Sequence, residues 1–306
     1  MPSLELFRVW YPAVERRSSY PNQVDIMSPI RIDAHQHFWN LAKVDYPWLG
    51  PEAGPLYRTF EPAELVPQLK AAGIDKTVLV QSANNTEDTI SMLTQAEDYD
   101  WIGAVVGWVP LLDPDRAGRL LERYTRHPKF RGVRHLIHNE PDPDWLIQPR
   151  VVEGLKVLAS FGVPFDVVAV YPDHLKHVPA VMERVPGLTV IIDHLAKPPI
   201  KHKQMGGWAD QMAAAARYPG VYAKVSGLNT AADWNAWTVD DLKPYIDFAV
   251  AAFGADRLMF GSDWPVCTLA GDYARVWQAT IAALHGYSQA EVDAVFGETA
   301  RRVYRI

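Results

Sequence analysis

The chain has 306 residues, 48% of them hydrophobic and 22% charged, with a formal net charge of −6. This suits one large globular domain or two average ones, and the acidic balance excludes the basic face that nucleic-acid binding requires. No apolar run reaches the ~18–20 residues of a membrane span, and a single cysteine, Cys267, excludes an intrachain disulfide and fits a cytoplasmic location.

Residues 1–28 carry charges and prolines where a signal peptide needs a continuous apolar stretch. Met27 opens MSPIRIDAHQHFW, so this segment is expected to be a loose extension or the product of an upstream start codon. An arm packed over the following domain is the alternative.

The first strand-like run is RIDAHQH (31–37). Alternate side chains of a strand share a face, so Asp33, His35 and His37 should project together. Three polar side chains on one face are costly to bury without partners, so that face is either wet or a site. EPAELVPQLKAAG then reads as a helix stopped by Gly73. The runs KTVLVQSA (76–83) and IGAVVGWV (102–109) are strand-like, and Asp113 before Pro114 caps a helix over DPDRAGRLLERYTRH. FRGVRHLI (130–137) brings Arg134 and His135 to a strand end, pointing to opposite sides. PFDVVAV (164–170) leads through Tyr171 into the helical YPDHLKHVPAVMERVPG. LTVIIDHL (188–195) ends in Asp193 and His194, and VYAKVSGL (221–228) carries Lys224 and Ser226. After the helical DDLKPYIDFAVAAFGADR, LMFGSDWP (258–265) ends in Ser262, Asp263 and Trp264. A capping-box pattern at Ser288 starts the last helix.

Eight apolar runs alternating with helices predict a single-domain (β/α)8 barrel over residues 29–306. A doubly wound sheet would usually place a glycine-rich turn after its first strand, where this chain has HQHFWN. Barrel enzymes keep their chemistry at the C-terminal ends of the strands, where His35, His37, Arg134, His194, Ser226 and Asp263 fall. Each has a structural reading too. Arg134 or Lys224 can simply pair with Asp166, and Asp263 can cap a helix. His127, His138, His174, His177, His202 and His285 read as surface, and Cys267 as packing.

DAHQHFW, DYPWL, RGVRH, DHLAKP, KVSGL and FGSDWP together resemble the amidohydrolase superfamily and, within it, the lactonase branch. The resemblance implies a (β/α)8 hydrolase whose His35, His37, His194 and Asp263 form the centre. It implies at most one divalent ion, Zn2+ or Mn2+, on those four residues. The fourth strand lacks a bridging lysine, and Tyr171 stands where the fifth could carry a ligand histidine. Members act with or without a metal.

In this reading Asp263 takes a proton from the water that attacks a lactone carbonyl, and the histidines stabilise the oxyanion as N–H donors or metal ligands. Arg134, Trp39, Tyr171, Ser226 and Trp264 are the substrate-binding candidates, with Trp39 and Trp264 at the mouth facing the sugar. The implied substrate is a small-molecule sugar-acid lactone of the L-fucono-1,5-lactone or L-rhamnono-lactone type. The competing readings are a 4-sulfomuconolactone or 2-pyrone-4,6-dicarboxylate hydrolase, a metal-dependent decarboxylase and a non-catalytic ligand binder. Nucleic acid and membrane are not expected partners, and a homo-oligomer is compatible with the composition.

Overall fold

A computed structural model describes residues 29–306. The expectation for residues 1–28 lies outside the described residues. The strands are β1 (Ile32–Gln36), β2 (Lys76–Val80), β3 (Ile102–Gly107), β4 (Phe130–His135), β5 (Phe165–Val167), β6 (Val190–Ile192), β7 (Val221–Val225) and β8 (Leu258–Phe260). They run parallel in sequential order. The first and last meet through backbone hydrogen bonds from Asp263 N to His35 O (2.8 Å) and His37 N to Trp264 O (2.8 Å). The fold is therefore the (β/α)8 barrel. Among the described residues no helix is long and apolar enough to cross a membrane.

All eight predicted strands are present, but each apolar run outlasts its strand. The last three residues of LTVIIDHL and the last five of LMFGSDWP leave the sheet and form the rim. Helix starts follow their caps. Glu61 and Glu64 make a capping box ahead of Pro62–Ala72, which Gly73 ends at φ 67°. The Asp113 side chain accepts from Arg116 N, and Ser288 closes a second box with Glu291. YPDHLKHVPAVMERVPG gives only a short helix, Val178–Arg184, after a 3-10 turn. The helices Thr86–Asp98, Pro149–Ser160, Gly206–Ala216, Val239–Phe253 and Tyr273–Ala283 complete the outer layer.

Two features of this scaffold position the site. The barrel interior holds a small apolar cluster including Ile32, Val78, Ala104, Ile191 and Met259, joined by Ala300 and Tyr304 of the C-terminal helix. The β1–β2 register also shifts between Asp33 and Gln36, so strict alternation fails. Asp33 consequently does not join His35 and His37. It accepts from Ser262 N (2.9 Å) and from the hydroxyl of Tyr273 on an outer helix (3.1 Å).

Three histidines depart from the surface reading. His174 and His177 are buried, with His177 Nε2 2.8 Å from Asp144 Oδ1. His138 is exposed, but towards the cavity described below.

Candidate active site

Four side chains converge at the C-terminal ends of the strands. His35 Nε2 and His37 Nε2 are 3.0 Å apart. Asp263 Oδ1 lies 3.8 Å from His35 Nε2, 3.5 Å from His37 Nε2 and 3.9 Å from His194 Nε2. All four residues are buried.

Their backbones explain the convergence. His194, Leu195, Ala196 and Lys197 have φ of 56°, 46°, 59° and 50°, a left-handed turn built without glycine. Such a conformation costs roughly 1–2 kcal/mol per residue, so the surroundings must enforce it. Trp208 Nε1 donates to Leu195 O (2.7 Å), Tyr171 N to Ala196 O (2.9 Å) and Lys197 N to His194 O (2.8 Å). Asp263 is also left-handed, at φ 57°.

The glycines of two motifs leave room for these groups. A Cβ at Gly261 would lie 2.5 Å from His35 Cβ. One at Gly227 (φ +59°) would lie 2.7 Å from His194 Nδ1 and 2.9 Å from Asp263 Oδ2. Gly227→Ala is therefore expected to lower turnover by about 10²-fold, as displacements of about 1 Å do, with the far-ultraviolet dichroism unchanged. Wild-type turnover in that variant would contradict the packing.

Hydrogen bonds set the imidazole orientations. His37 Nδ1 lies 2.7 Å from the Val80 carbonyl, which can only accept, so neutral His37 presents a lone pair at Nε2. It can ligate a metal or accept a proton, but in that state it does not donate to an oxyanion as the sequence reading allowed. His35 Nδ1 faces a donor, Lys224 Nζ, at 3.2 Å and an acceptor, Asp193 Oδ1, at 3.2 Å. Both tautomers of His35 are thus supported. His194 Nδ1 lies 2.8 Å from Ser226 Oγ, so Ser226 orients a histidine.

A buried charge network lies behind the imidazoles. Arg134 Nε pairs with Asp193 Oδ2 at 2.8 Å, rather than with Asp166. Lys224 Nζ contacts Asp166 Oδ2 at 2.5 Å and Asp193 Oδ1 at 3.1 Å, and the Tyr304 hydroxyl donates to Asp166 Oδ2 at 2.7 Å. Burial raises the Asp166 carboxyl to about 6 even beside Lys224. For Asp193 burial is outweighed by Lys224 and Arg134, and the net shift is downward.

Burial drives His35 and His194 well below the ordinary imidazole range, so both are neutral at pH 7. Burial would raise Asp263, but His194 and His37 outweigh it and hold the carboxyl at about 2. Asp263 is therefore ionised at neutral pH.

The set fits one divalent ion. Asp263 Oδ2 is buried without a hydrogen-bond donor, and His35, His37 and Asp263 offer mutually close ligand atoms. Separations of 3.0 to 3.9 Å suit ligands bonded at ~2.0–2.2 Å to one centre. In the second group of ligand atoms, His35, Asp193 and His194, Asp193 is already neutralised by Arg134 and Lys224. Elemental analysis is expected to find at most one tightly bound equivalent per chain, and a value near two would contradict this.

Three of the four groups line a cavity of about 360 Å³; His35, buried beside them, does not. His37, His194, Asp263 and Arg134 line it, as does Trp39, whose Nε1 donates to Arg58 O (2.6 Å). Sequence reasoning missed several further lining residues, among them Trp48, His138 and Lys197. The motifs DYPWL and DHLAKP already contained two of them. Trp264 does not line the cavity. The left-handed turn at Asp263 sends its indole sideways, edge-on to Phe38 and Phe60 at centroid distances of 5.7 and 5.4 Å. Tyr171 is half-buried and likewise outside the lining.

Comparison with known proteins bears on the family and the fold. The amidohydrolase family model matches residues 32–306. An L-fucono-1,5-lactonase of Burkholderia ambifaria is 39% identical over 243 residues, covering 79% of this chain and 83% of that protein. An L-fucono-1,5-lactonase of Burkholderia multivorans is 35% identical over 291 residues, covering 92% and 97%. A crystal structure of a Burkholderia multivorans amidohydrolase with bound zinc superposes with a TM-score of 0.83 at 34% identity, covering 90% of this chain and 99% of that one.

Proposed function

We propose, from the premise that this chain belongs to the amidohydrolase family, that it opens the lactone ring of an L-configured sugar acid of the fucono-lactone type. The carrying observation is the donor-free Asp263 Oδ2 among His35, His37 and His194 at the base of a cavity walled by Trp39 and Trp48. The names of the Burkholderia relatives support the substrate class.

In this reading Asp263 accepts a proton from water as its oxygen attacks the acyl carbon. The carbonyl electron pair moves onto the acyl oxygen and returns as the bond to the ring oxygen breaks. Asp263, which holds the proton taken from water, returns it to the ring oxygen. A divalent ion on His35, His37, His194 and Asp263 would supply Lewis-acid polarisation. Trp39 and Trp48 give the cavity an apolar wall for the C–H side of a sugar ring, and the methyl of a 6-deoxy sugar adds roughly 0.8 kcal/mol when buried. A pyrone dicarboxylate would ask for several free cations. The Arg134 guanidinium is already paired with Asp193 and donates from NH1 to Gln81 O.

The test is a pH-indicator assay on L-fucono-1,5-lactone with purified enzyme, before and after chelation and with added Zn2+ or Mn2+. One acid equivalent per lactone is expected. Failure to open any sugar lactone in either metal state, or release of CO2 from an aromatic acid instead, would overturn the reading.

A further inference from the structure

Two basic side chains other than histidine line the cavity, Arg134 and Lys197. Arg134 is held by Asp193 and Gln81. Lys197 makes no side-chain hydrogen bond or ion pair among the described residues, although it is half-buried. A lysine in such a place usually finds a carboxylate or reaches bulk water.

The left-handed turn places it there. Residues three apart in a 3-10-type turn lie over one another, so His194 and Lys197 share the cavity face. Leu195 and Ala196 between them are fully buried. Pro198 and Pro199 follow directly and prevent the turn from continuing. Strain that surrounding structure must enforce is commonly tied to a functional geometry, and here it brings two side chains to the same cavity. After burial and nearer neighbours, the Lys197 charge still acts on Asp263, His194 and His35.

The chemistry has a need for this cation. A lactone is neutral, the tetrahedral intermediate carries an oxyanion, and the product is a carboxylate. A fixed ammonium therefore interacts more strongly with the later species than with the substrate, which is the condition for catalysis. Neutral His37 cannot donate at Nε2, because its proton is on Nδ1.

We propose that Lys197 is a further catalytic residue, whose ammonium donates to the acyl oxygen as it becomes the oxyanion and then holds the carboxylate of the opened product. This rests on the lactonase reading. Water adds to the acyl carbon, the ring C–O bond breaks, and the proton passes by way of Asp263. Lys197 stays protonated throughout and transfers nothing.

The experiment compares wild type with Lys197→Met and Lys197→Arg. Readouts are turnover of L-fucono-1,5-lactone, inhibition by L-fuconate, and calorimetric binding of L-fuconate. For Lys197→Met, kcat should fall about 10²-fold, as for loss of one oxyanion donor. The lactone KM should stay within about threefold, since uniform binding is not what is lost, while L-fuconate binding weakens about tenfold. Lys197→Arg should recover most of both.

A Lys197→Met enzyme that binds L-fuconate as wild type does, or keeps wild-type kcat, overturns the proposal. If Lys197→Met does not fold, Lys197→Asn gives the same readouts, because asparagine tolerates the left-handed backbone. Failure of the lactonase reading would appear separately, as absent wild-type turnover. In that case the calorimetric comparison still reads whether Lys197 holds the carboxylate, and equal L-fuconate binding by wild type and Lys197→Met overturns that part.

Discussion

Asp263→Asn is expected to lower kcat by about 10²–10⁴-fold, the loss typical of a removed general base. An amide cannot accept the proton of the attacking water at neutral pH. The change is nearly isosteric, and Asp263 sits at φ 57°, where asparagine is among the best-tolerated residues. Its backbone bonds, from Asp263 N to His35 O and from Cys267 N to Asp263 O, both at 2.8 Å, do not depend on the carboxylate. The loss should therefore appear in the chemical step, with thermal melting close to wild type. A variant that melts normally and keeps more than about a tenth of wild-type kcat would remove Asp263 from the mechanism.

Lys224→Met is expected to cost about 3–5 kcal/mol of stability, the usual result of breaking a buried ion pair from one side. Lys224 is fully buried and stands between Asp166 and Asp193. Methionine fills a similar volume but leaves two carboxyl groups facing each other in the barrel interior. Arg134 still compensates Asp193 at 2.8 Å, so Asp166 carries most of the loss. Adding Asp166→Asn to Lys224→Met should recover part of the stability. Urea denaturation measures both, and a single-variant loss under about 1 kcal/mol would show that the network is not energetically closed.

The barrel was legible because its strands are buried on both faces and therefore read as apolar runs. The positions of His35, His37, His194 and Asp263 followed from their place at the ends of those runs. Local backbone irregularity was not legible. The shifted β1 register separates Asp33 from His35, and no propensity scale predicts four left-handed residues in DHLAK. The same blindness hid Lys197, which reaches the cavity only through that turn, and misplaced Trp264, which the Asp263 turn directs into packing. Ion-pair partners were legible only in part: Lys224 does pair with Asp166, whereas Arg134 pairs with Asp193. Asp193 and Asp166 are both plausible mates for Arg134, and only three-dimensional register decides between them.

A site built for a neutral L-sugar lactone should reject flat or doubly charged lactones. The most direct test is kcat/KM for L-fucono-1,5-lactone, an L-galactonolactone and an L-rhamnonolactone, measured beside 4-sulfomuconolactone and 2-pyrone-4,6-dicarboxylate under the same conditions. The account predicts that the best sugar lactone exceeds both of the latter by at least about tenfold, since groups matched to substrate hydroxyls discriminate sharply against analogues that lack them. Turnover of either 4-sulfomuconolactone or the pyrone dicarboxylate at least about tenfold better than every sugar lactone would contradict it.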